Sequence, residues 1–555
     1  MVSIELPHKR HILRRITPTT YIVYRDNNKY YAINGITNAT EYSSEDATSV
    51  IQYAVDKTHN SGGGRVLIKK GTYVFHDLTN KNVGVVLRPG VEIVGEKGVE
   101  IIASDVADPA TYRSVFFGDN INDVSIRNLK IRIKQSGWYA GVYIWYGLER
   151  VKIEDVEIES DIGWYAYGQS FTVGIRVVAG DGGRCTELTI RRSKILNTGY
   201  GISIGTAVEA LKADMRDIFV ENNYVDLYQT VPLATSGIII GTNGNTLADN
   251  ITVRNNTVKR VGDSGIEVAY ANNAVIESNT VEDATIIFSR SVNNGVIRNN
   301  TVITKNYRSS VGYFLVEKVL SRNIAILNNL ILNGSIAIWP SNITEYSFDG
   351  LLIGSNVIVS NDIFGIQAQL KEWTKNVTIA NNIVINKYKN GTSYGIFLTS
   401  SEYGVITNNI VYVDNPNNEA RALAINACRN IFITNNYIYG TGSPLCGYYG
   451  AYWGHHYIME NVLPSICPDP NNPPSPVILK RNIGYTTEKI GVATIPAGST
   501  RVTVSHGLYR TPSTVLLTPY GNIKVWVENI TPTSFDIVTD TAPTSNTKVA
   551  WYAEV

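Results

Sequence analysis

Ten asparagines recur at one fixed place in a repeating motif, and that recurrence restricts the fold more than any other feature of this 555-residue chain. Aligned on an apolar residue three positions upstream, as in Val220-Glu221-Asn222-Asn223, the column reads Asn223, Asn256, Asn279, Asn300, Asn329, Asn356, Asn382, Asn409, Asn436 and Asn482. Its successive spacings are 33, 23, 21, 29, 27, 26, 27, 27 and 46. The same phrase returns around it: IRNNTV at 297–302, ILNNLI at 326–331, IANNIV at 379–384, ITNNIV at 406–411 and ITNNYI at 433–438. A short apolar strand, a polar pair at a bend and a second short strand cannot bury their own apolar face, so neighbouring copies must stack. At the ~4.8 Å spacing of hydrogen-bonded strands, an inward amide donates to one neighbour and accepts from the other, so a buried polar column satisfies itself. Asparagine also tolerates the left-handed backbone of a tight bend. The column is therefore structural, and its asparagines are not free for chemistry.

Earlier segments keep the strand pattern without the amide: VSIRNLKIR at 124–132, VKIEDVEIE at 151–159 and LTIRRSKIL at 188–196 put Leu129, Val156 and Ser193 in the column. Ten and three make thirteen aligned coils, a stack of ~60 Å. A second family of apolar pieces follows small residues: YGISIG at 200–205, SGIIIG at 236–241, SGIEV at 264–268 and YGIFL at 394–398. Two or three strands per turn describe a parallel β-helix. The 46-residue spacing is expected to hold one long loop, GYYGAYWGHHYIMENVLPSI, between Cys446 and Cys467. A disulfide would close that loop, and two unpaired thiols are the other outcome; Cys185 and Cys428 are expected to pack in coils.

These Asn-Asn coils resemble the right-handed parallel β-helix of the pectin-lyase-like superfamily. The stretch SSEDATSVIQYAVDKTHNSGGGRVLIKKGTYVF at 43–75 is similar to that superfamily's opening. There Ser43 or Ser44 would cap a helix whose apolar face is Ala47, Val50, Ile51, Ala54 and Val55, ended by Gly62-Gly63-Gly64. Such a helix would cover the open end of the solenoid. The resemblance spans roughly residues 20–485 and implies the fold; the fold hosts lyases, hydrolases, epimerases and adhesins. The N-terminal YIVYRDNNKYYAINGITNATEYSSEDATSVIQ also resembles the opening of β-helical proteins in viruses and cells of thermophilic archaea. Scarce Cys and Met with abundant Ile and Tyr fit such a source.

After CPDPNNPPSP at 467–476 the pattern changes to alternating strands with Gly/Pro turns, VATIPAG, RVTVSHGL, STVLLTPYG, KVWVENI, SFDIVTD and KVAWYAEV. Six such strands indicate an antiparallel β-sandwich. Their order resembles the H-type lectin fold, a sugar-binding sandwich that forms trimers, and also domains that close β-helical spikes. Trp526 and Trp551 are expected in its core, and His506 at a turn.

A net charge of +1 and a charged content of 17% supply no field to steer nucleic acid or an anionic membrane. No run of 18 apolar residues is present, so no transmembrane helix is expected. The N-terminus lacks an apolar signal core, yet nine Asn-x-Ser/Thr sequons, at Asn38, Asn250, Asn255, Asn299, Asn333, Asn342, Asn376, Asn390 and Asn529, suit an outside protein. A surface protein made without a signal is what a virion component would be.

Catalysis on this scaffold needs carboxylates clustered on adjacent coils. The candidates are Asp263 and Glu267 in VGDSGIEV, Asp283 in the following coil, and Arg290 or Lys318 nearby; the bland reading is coil-surface charge. The Asn-Thr-Asp, Asp-Asp, Gly-His-Gly and Arg-Ile-Lys segments of the superfamily's polygalacturonases are absent, as are the acidic calcium site and Arg-x-Pro-x-x-Arg segment of its pectate lyases. His455-His456 lacks a Cys or carboxylate at ligand spacing, so no metal and no cofactor are expected. The aromatic signal is denser: SGWYAGVYIWYGLER at 136–150 and DIGWYAYGQSF at 161–171 carry Trp138, Tyr139, Tyr143, Trp145, Tyr146, Trp164, Tyr165 and Tyr167. Rings on successive coils could stack on a saccharide, with Trp138, Tyr139, Trp145, Trp164 and Tyr165 as candidates, or pack an insertion or a subunit contact.

The expected architecture is an all-β chain: residues 1–42 a possible assembly anchor, 43–485 the parallel β-helix, and 486–555 a lectin-like or trimerising sandwich. The expected role is a homotrimeric virion spike that recognises a host-surface polysaccharide or glycoprotein, joined to other virion proteins through its N-terminal segment. A polysaccharide lyase or glycoside hydrolase, including a depolymerising tailspike, and an archaeal cell-surface adhesion protein are the alternatives. No nucleic acid partner and no membrane insertion are expected.

Overall fold

A computed structural model describes residues 19–77, 83–106, 113–134, 137–162, 172–227, 235–304, 311–315, 321–340, 348–442, 445–452, 456–468 and 477–555. The chain divides into two compact units, Met1–Tyr228 and Gln229–Val555. Both are built of parallel β-solenoid, about 12 turns in all.

In the first unit, Thr19–Asp26 pairs antiparallel with Lys29–Asn34 and parallel with Gly64–Ile68, joining the opening hairpin to the first coil. The helix Ala47–Asn60 buries Ala47, Val50, Ile51, Ala54 and Val55, the face its 3.6-residue periodicity marks out. Its cap differs from expectation. Asp46 accepts from the Thr48 and Ser49 amides at 3.0 and 3.1 Å, while Ser43 and Ser44 belong to the preceding strand opposite Tyr31 and Tyr30. A carboxylate suits the helix N-terminus at least as well as a hydroxyl. The helix rests against Thr19–Asp26, Lys29–Asn34, Gly71–Asp77 and Val83–Val86, covering the first coil. Gly63, at φ +97°, ends it where a Cβ would lie 2.7 Å from the Gly90 carbonyl.

Outward side chains of the first unit's coils form charge ladders. Glu92 lies between Arg65 and Arg127, Glu157 between Lys130 and Lys194 at 3.2 and 3.7 Å, and Glu154 meets Arg191 at 2.7 Å. The Glu92 and Glu157 pairs are partly exposed and contribute little alone, whereas Glu154 is buried beneath Arg191 and Arg192. The buried polar column begins in this unit at Ser193, whose Oγ accepts from the Val156 amide at 3.3 Å. Its own amide donates to Asn223 Oδ1 at 3.0 Å.

The second unit carries the full ladder. From Asn256 to Asn482, each Oδ1 after the first accepts from the backbone N–H and the Nδ2 of the rung before it, at 2.9–3.1 Å. From Asn279 on, Nδ2 also donates to a carbonyl of the preceding coil, as Asn382 does to Ile353 O at 3.0 Å. The left-handed residue is the first of each pair, not the ladder asparagine: Asn328, Asn381, Asn408 and Asn435 stand at φ 55–59°. The 46-residue spacing is not one long loop. A further rung, Asn461, accepts from Asn436 and donates to Asn482, and the strand His456–Met459 pairs with both Ile431–Thr434 and Val477–Lys480. Glu460 fills the left-handed position there at φ 59°, so the pair reads Glu-Asn.

The small residues before the second strand family also have a reason. Gly365 and Gly395 point inward at a corner, where a Cβ would lie 2.3 Å from Val384 Cγ1 and Val411 Cγ1 respectively. Beyond the coils, Glu488–Ile495, Thr547–Glu554 and Thr514–Pro519 form one antiparallel sheet, and Arg501–Ser505, Ser534–Thr539 and Val525–Glu528 another. Ile495, Phe535, Ile537, Val549 and Trp551 fill the core between them. Trp526 stands outside that core, half-buried, with Nε1 donating to Glu528 at 2.9 Å. His506 is fully buried and stacks on Phe535; Nδ1 accepts from the Leu508 amide, so Nε2 donates to Thr531 O at 3.1 Å.

Candidate functional site

One outward sheet face of each unit carries the aromatic residues. In the first unit the strand Trp138–Ser160 alternates. Trp138, Ala140, Val142 and Ile144 are fully buried, leaving Tyr139, Tyr143 and Trp145 on the outside. Trp138 is therefore a core residue rather than a ligand platform, its Nε1 donating to Ser104 O at 2.6 Å. Tyr139, Tyr143 and Trp145 stand edge to face at 5.8 and 6.1 Å, and Phe117 of the preceding coil meets Tyr143 at 5.8 Å. Burial, then Tyr139, pushes the Tyr143 hydroxyl up to about 12. Tyr146, with φ 67°, lines a hollow of about 220 Å³ with Asn120, Glu149 and Arg184. Trp164, Tyr165 and Tyr167 lie outside the described residues.

The second unit holds the acidic candidates. Glu267 points outward and accepts from Ser264 Oγ at 3.0 Å and Ser289 Oγ at 2.6 Å. Asp263 precedes it at the bend, and desolvation, then the Glu267 charge, raises its pKa. The structure thus brings these two acids together and gives them different environments. Asp283 occupies a left-handed bend position at φ 55°, its amide donating to Ile303 O. Arg290 donates to the Tyr270 hydroxyl at 2.9 Å and lies over that ring. Lys318 lies outside the described residues.

On the same face the sequence reading missed a cluster. Register runs from Glu267 through Ile287, Gly312 and Ala337 to Gln367, four steps or ~19 Å. There Phe364 stacks on Tyr394 at 4.9 Å, and Phe397 closes the group at 5.2 and 5.3 Å from the two. Arg421 of the next coil lies over Tyr394 at 5.5 Å and donates to its hydroxyl at 3.2 Å. Glu419 takes both remaining sides of the guanidinium at 2.8 Å. Gln367 donates to Gln369 at 3.0 Å beside them. Half-buried rings offer flat apolar surface, and the amides and the neutralised Arg–Glu fork offer directed hydrogen bonds without net charge. That combination suits a ligand with apolar faces and many hydroxyls. Phe364 and Tyr394 stand outward because the inward glycine that follows each one shifts the alternation.

Residues 236–394 match the family described as the right-handed β-helix region. A search of curated proteins returns no match. Among solved structures, the chain is similar to a tailspike protein mutant of E. coli bacteriophage HK620 in complex with a pentasaccharide, at 11% identity and a TM-score of 0.45, covering 92% of this chain and 89% of that one. It is also similar to the mannuronan C-5 epimerase AlgE6 A-module of Azotobacter vinelandii, at 14% identity, a TM-score of 0.34 and coverage of 79% and 95%. A third is PfbA, a surface adhesin of Streptococcus pneumoniae, at 14% identity, a TM-score of 0.38 and coverage of 68% and 88%.

Among the described residues no group of three or more His, Cys, Asp or Glu could hold a metal ion. His456 is buried, one ring nitrogen 3.2 Å from Cys428 O; His455 lies outside the described residues. No helix among them is long and apolar enough to cross a membrane. Cys185 and Cys428 are free and buried. Cys446 and Cys467 lie on paired strands, Cys467 opposite Tyr449, with side chains outside the described set.

Proposed function

We propose that this chain is an attachment protein that holds a surface saccharide along the outward face of its second unit. The observation that carries the reading is the cluster of Phe364, Tyr394 and Phe397 beside Gln367, Gln369 and the Arg421–Glu419 fork. Stacked rings take the apolar faces of pyranoses, and the neutralised fork takes hydroxyls. The specific setting is a homotrimeric virion spike at the particle surface, with residues 1–42 docking to other virion proteins and a host-surface polysaccharide or glycoprotein as partner. Tyr139, Tyr143 and Trp145 would extend the same chemistry on the first unit.

A second reading, depolymerisation, is favoured by one observation. Asp263 is held toward its protonated form beside Glu267, the asymmetry an acid–base pair needs. A polysaccharide and glycan screen on the purified chain, scoring binding and product release together, tests both. Binding should fall roughly tenfold on Tyr394→Ala or Phe397→Ala, about 1.4 kcal/mol per ring. Unchanged binding in both variants refutes the placement of the site. Product release that vanishes with Asp263→Asn or Glu267→Gln would replace attachment alone with hydrolysis or lysis.

A further inference from the structure

The guanidinium of Arg421 is the group beside the ring cluster best fitted to hold an anion, and all three of its nitrogens are occupied. Tyr394 stands between Phe364 of the coil before, at 4.9 Å, and Arg421 of the coil after, which lies 5.5 Å from the ring centre. Nη1 donates to the Tyr394 hydroxyl at 3.2 Å. Nε and Nη2 form the edge that would grip a ligand carboxylate or sulfate with two parallel bonds. They donate instead to Glu419 Oε1 and Oε2, both at 2.8 Å. Glu419 is fixed in this place from beneath. Its carbonyl accepts from the Ser393 amide at 3.1 Å and from Asn415 Nδ2 at 3.2 Å. Asn415, with zero exposure, also reaches Gly391 O and Ser393 Oγ at 2.7 and 3.0 Å. The fork is nonetheless within reach of a ligand, with 19% of the Arg421 side chain and 25% of the Glu419 side chain exposed. Beside it Gln367 and Gln369 supply amides, and Asp362, two residues before Phe364, supplies a further carboxylate that accepts from the Ile363 amide at 2.7 Å and Ser335 Oγ at 3.3 Å.

We propose, resting on the attachment reading above, that the cluster takes a neutral saccharide and excludes acidic ones, and that Glu419 sets this selectivity by keeping Arg421 occupied. A uronate or sulfate that reaches Arg421 has to displace a carboxylate tethered beside it, whose effective concentration is on the order of millimolar or higher. The incoming charge then stands against the displaced one and against Asp362, and like charges set side by side weigh heavily against the wrong ligand. A sugar hydroxyl meets neither obstacle. Each Glu419 oxygen keeps acceptor capacity after its bond to Arg421, so the fork takes hydroxyls without opening, and the glutamine amides bond them without regard to charge. Selectivity therefore comes from one side chain rather than from the rings, which favour a pyranose face whatever its substituents. Glu419→Gln keeps the length and one acceptor oxygen but sets its NH2 against a guanidinium N–H, so Arg421 is left with an open edge for a carboxylate.

Interferometry of the full chain on immobilised polysaccharides tests it. The panel is neutral mannan, galactan and glucan, each beside the same polymer oxidised at C6 to its uronate, together with polygalacturonate and alginate. The wild type should bind a neutral polymer and bind the oxidised form of that polymer about tenfold more weakly. Glu419→Gln should narrow this ratio by about tenfold through a gain on the oxidised form, and adding Arg421→Gln should remove the gain. Glu419→Ala, which takes the competing carboxylate away outright, should shift the ratio the same way, and far-UV circular dichroism checks that each variant folds. An oxidised form bound as tightly as its parent, a tightest ligand that is acidic, or a ratio that neither Glu419 variant moves overturns the selectivity and leaves attachment standing. A wild type that binds nothing in the panel refutes the attachment reading itself, and the selectivity falls with it.

Discussion

Replacing Asn382 by alanine should loosen the solenoid far more than any exposed substitution, and the ladder supplies the magnitude. The Asn382 side chain donates to Ile353 O and to Asn409 Oδ1, and it accepts from the backbone N–H and the Nδ2 of Asn356. Alanine removes these four bonds from a site of zero exposure, at about 1 kcal/mol each. It also orphans the Ile353 carbonyl and the Asn356 N–H, where no water reaches. The expected loss is about 4 kcal/mol, confined to the neighbouring coils because a solenoid's contacts are between nearest neighbours. Aspartate is the sharper probe. It keeps the acceptor for Asn356 but turns its second oxygen toward two other acceptors, so Asn382→Asp should be worse than alanine at pH 7 and should recover part of its stability near pH 3, when protonated. The control is the adjacent Asn381, exposed and left-handed at φ 59°: alanine there costs about 1 kcal/mol, and glycine costs nothing or gains slightly. Urea unfolding gives the ranking, and amide hydrogen exchange over residues 353–409 gives its location. A loss under about 1 kcal/mol for Asn382→Ala, or equal losses at 381 and 382, would refute the claim that the amide column stabilises the stack.

Asp536 accepts from Thr503, Asn529 and Arg501, which together hold its pKa down to about 2. A depressed carboxylate stabilises above its unfolded pKa, near 3.9, and loses that contribution as pH falls through about 2. Asp536→Asn should therefore melt below the wild type above pH 4, by about 1 kcal/mol once the half-exposed Arg501 is discounted for screening, and converge with it near pH 2; parallel curves would refute the coupling. Asp263 has the opposite sign. Its pKa is raised, so its charge opposes folding at neutral pH, and Asp263→Asn should be at least as stable as the wild type at pH 7 with the gain gone in acid. Burial pushes the Cys185 and Cys428 thiols up to about 12, so iodoacetamide should leave both unmodified in the folded chain. Denaturing alkylation without reductant should then add two adducts, not four, if Cys446 and Cys467 are joined.

How much of this was legible depends on whether a side chain's role repeats with the coil. The ladder column was readable because each rung needs the same amide in the same geometry. Asn461 fits the same alignment, three residues after Ile458, but lies inside the stretch between Cys446 and Cys467 that the 46-residue spacing marks as one loop. The cap moved from Ser43 or Ser44 to Asp46 because strand pairing claimed the serines. Trp138 was misplaced for a reason the sequence does contain: it shares parity with Ala140, Val142 and Ile144, the inward set, whereas Tyr139, Tyr143 and Trp145 do not. The Phe364–Tyr394–Phe397 cluster was harder. Its rings come from two coils about 30 residues apart, one or two per coil, and Gly365 and Gly395 shift the alternation just after Phe364 and Tyr394. Only alignment of FGIQAQL with YGIFLTS places them side by side.

The same division explains how one backbone can carry three unlike surfaces. Inward positions are fixed by the valine and isoleucine core, the corner glycines and the amide column, so they vary little from coil to coil. Outward positions bear on none of those constraints, and a change there costs the stack a few tenths of a kcal/mol. Charge ladders on Glu92 and Glu157, the exposed apolar row of Leu330, Val357, Ile383 and Ile410, and the ring cluster at Tyr394 are therefore independent uses of one scaffold. Ile383→Lys should consequently leave ligand binding unchanged while Tyr394→Ala weakens it, with the Asn382 amide ladder beneath them intact in both.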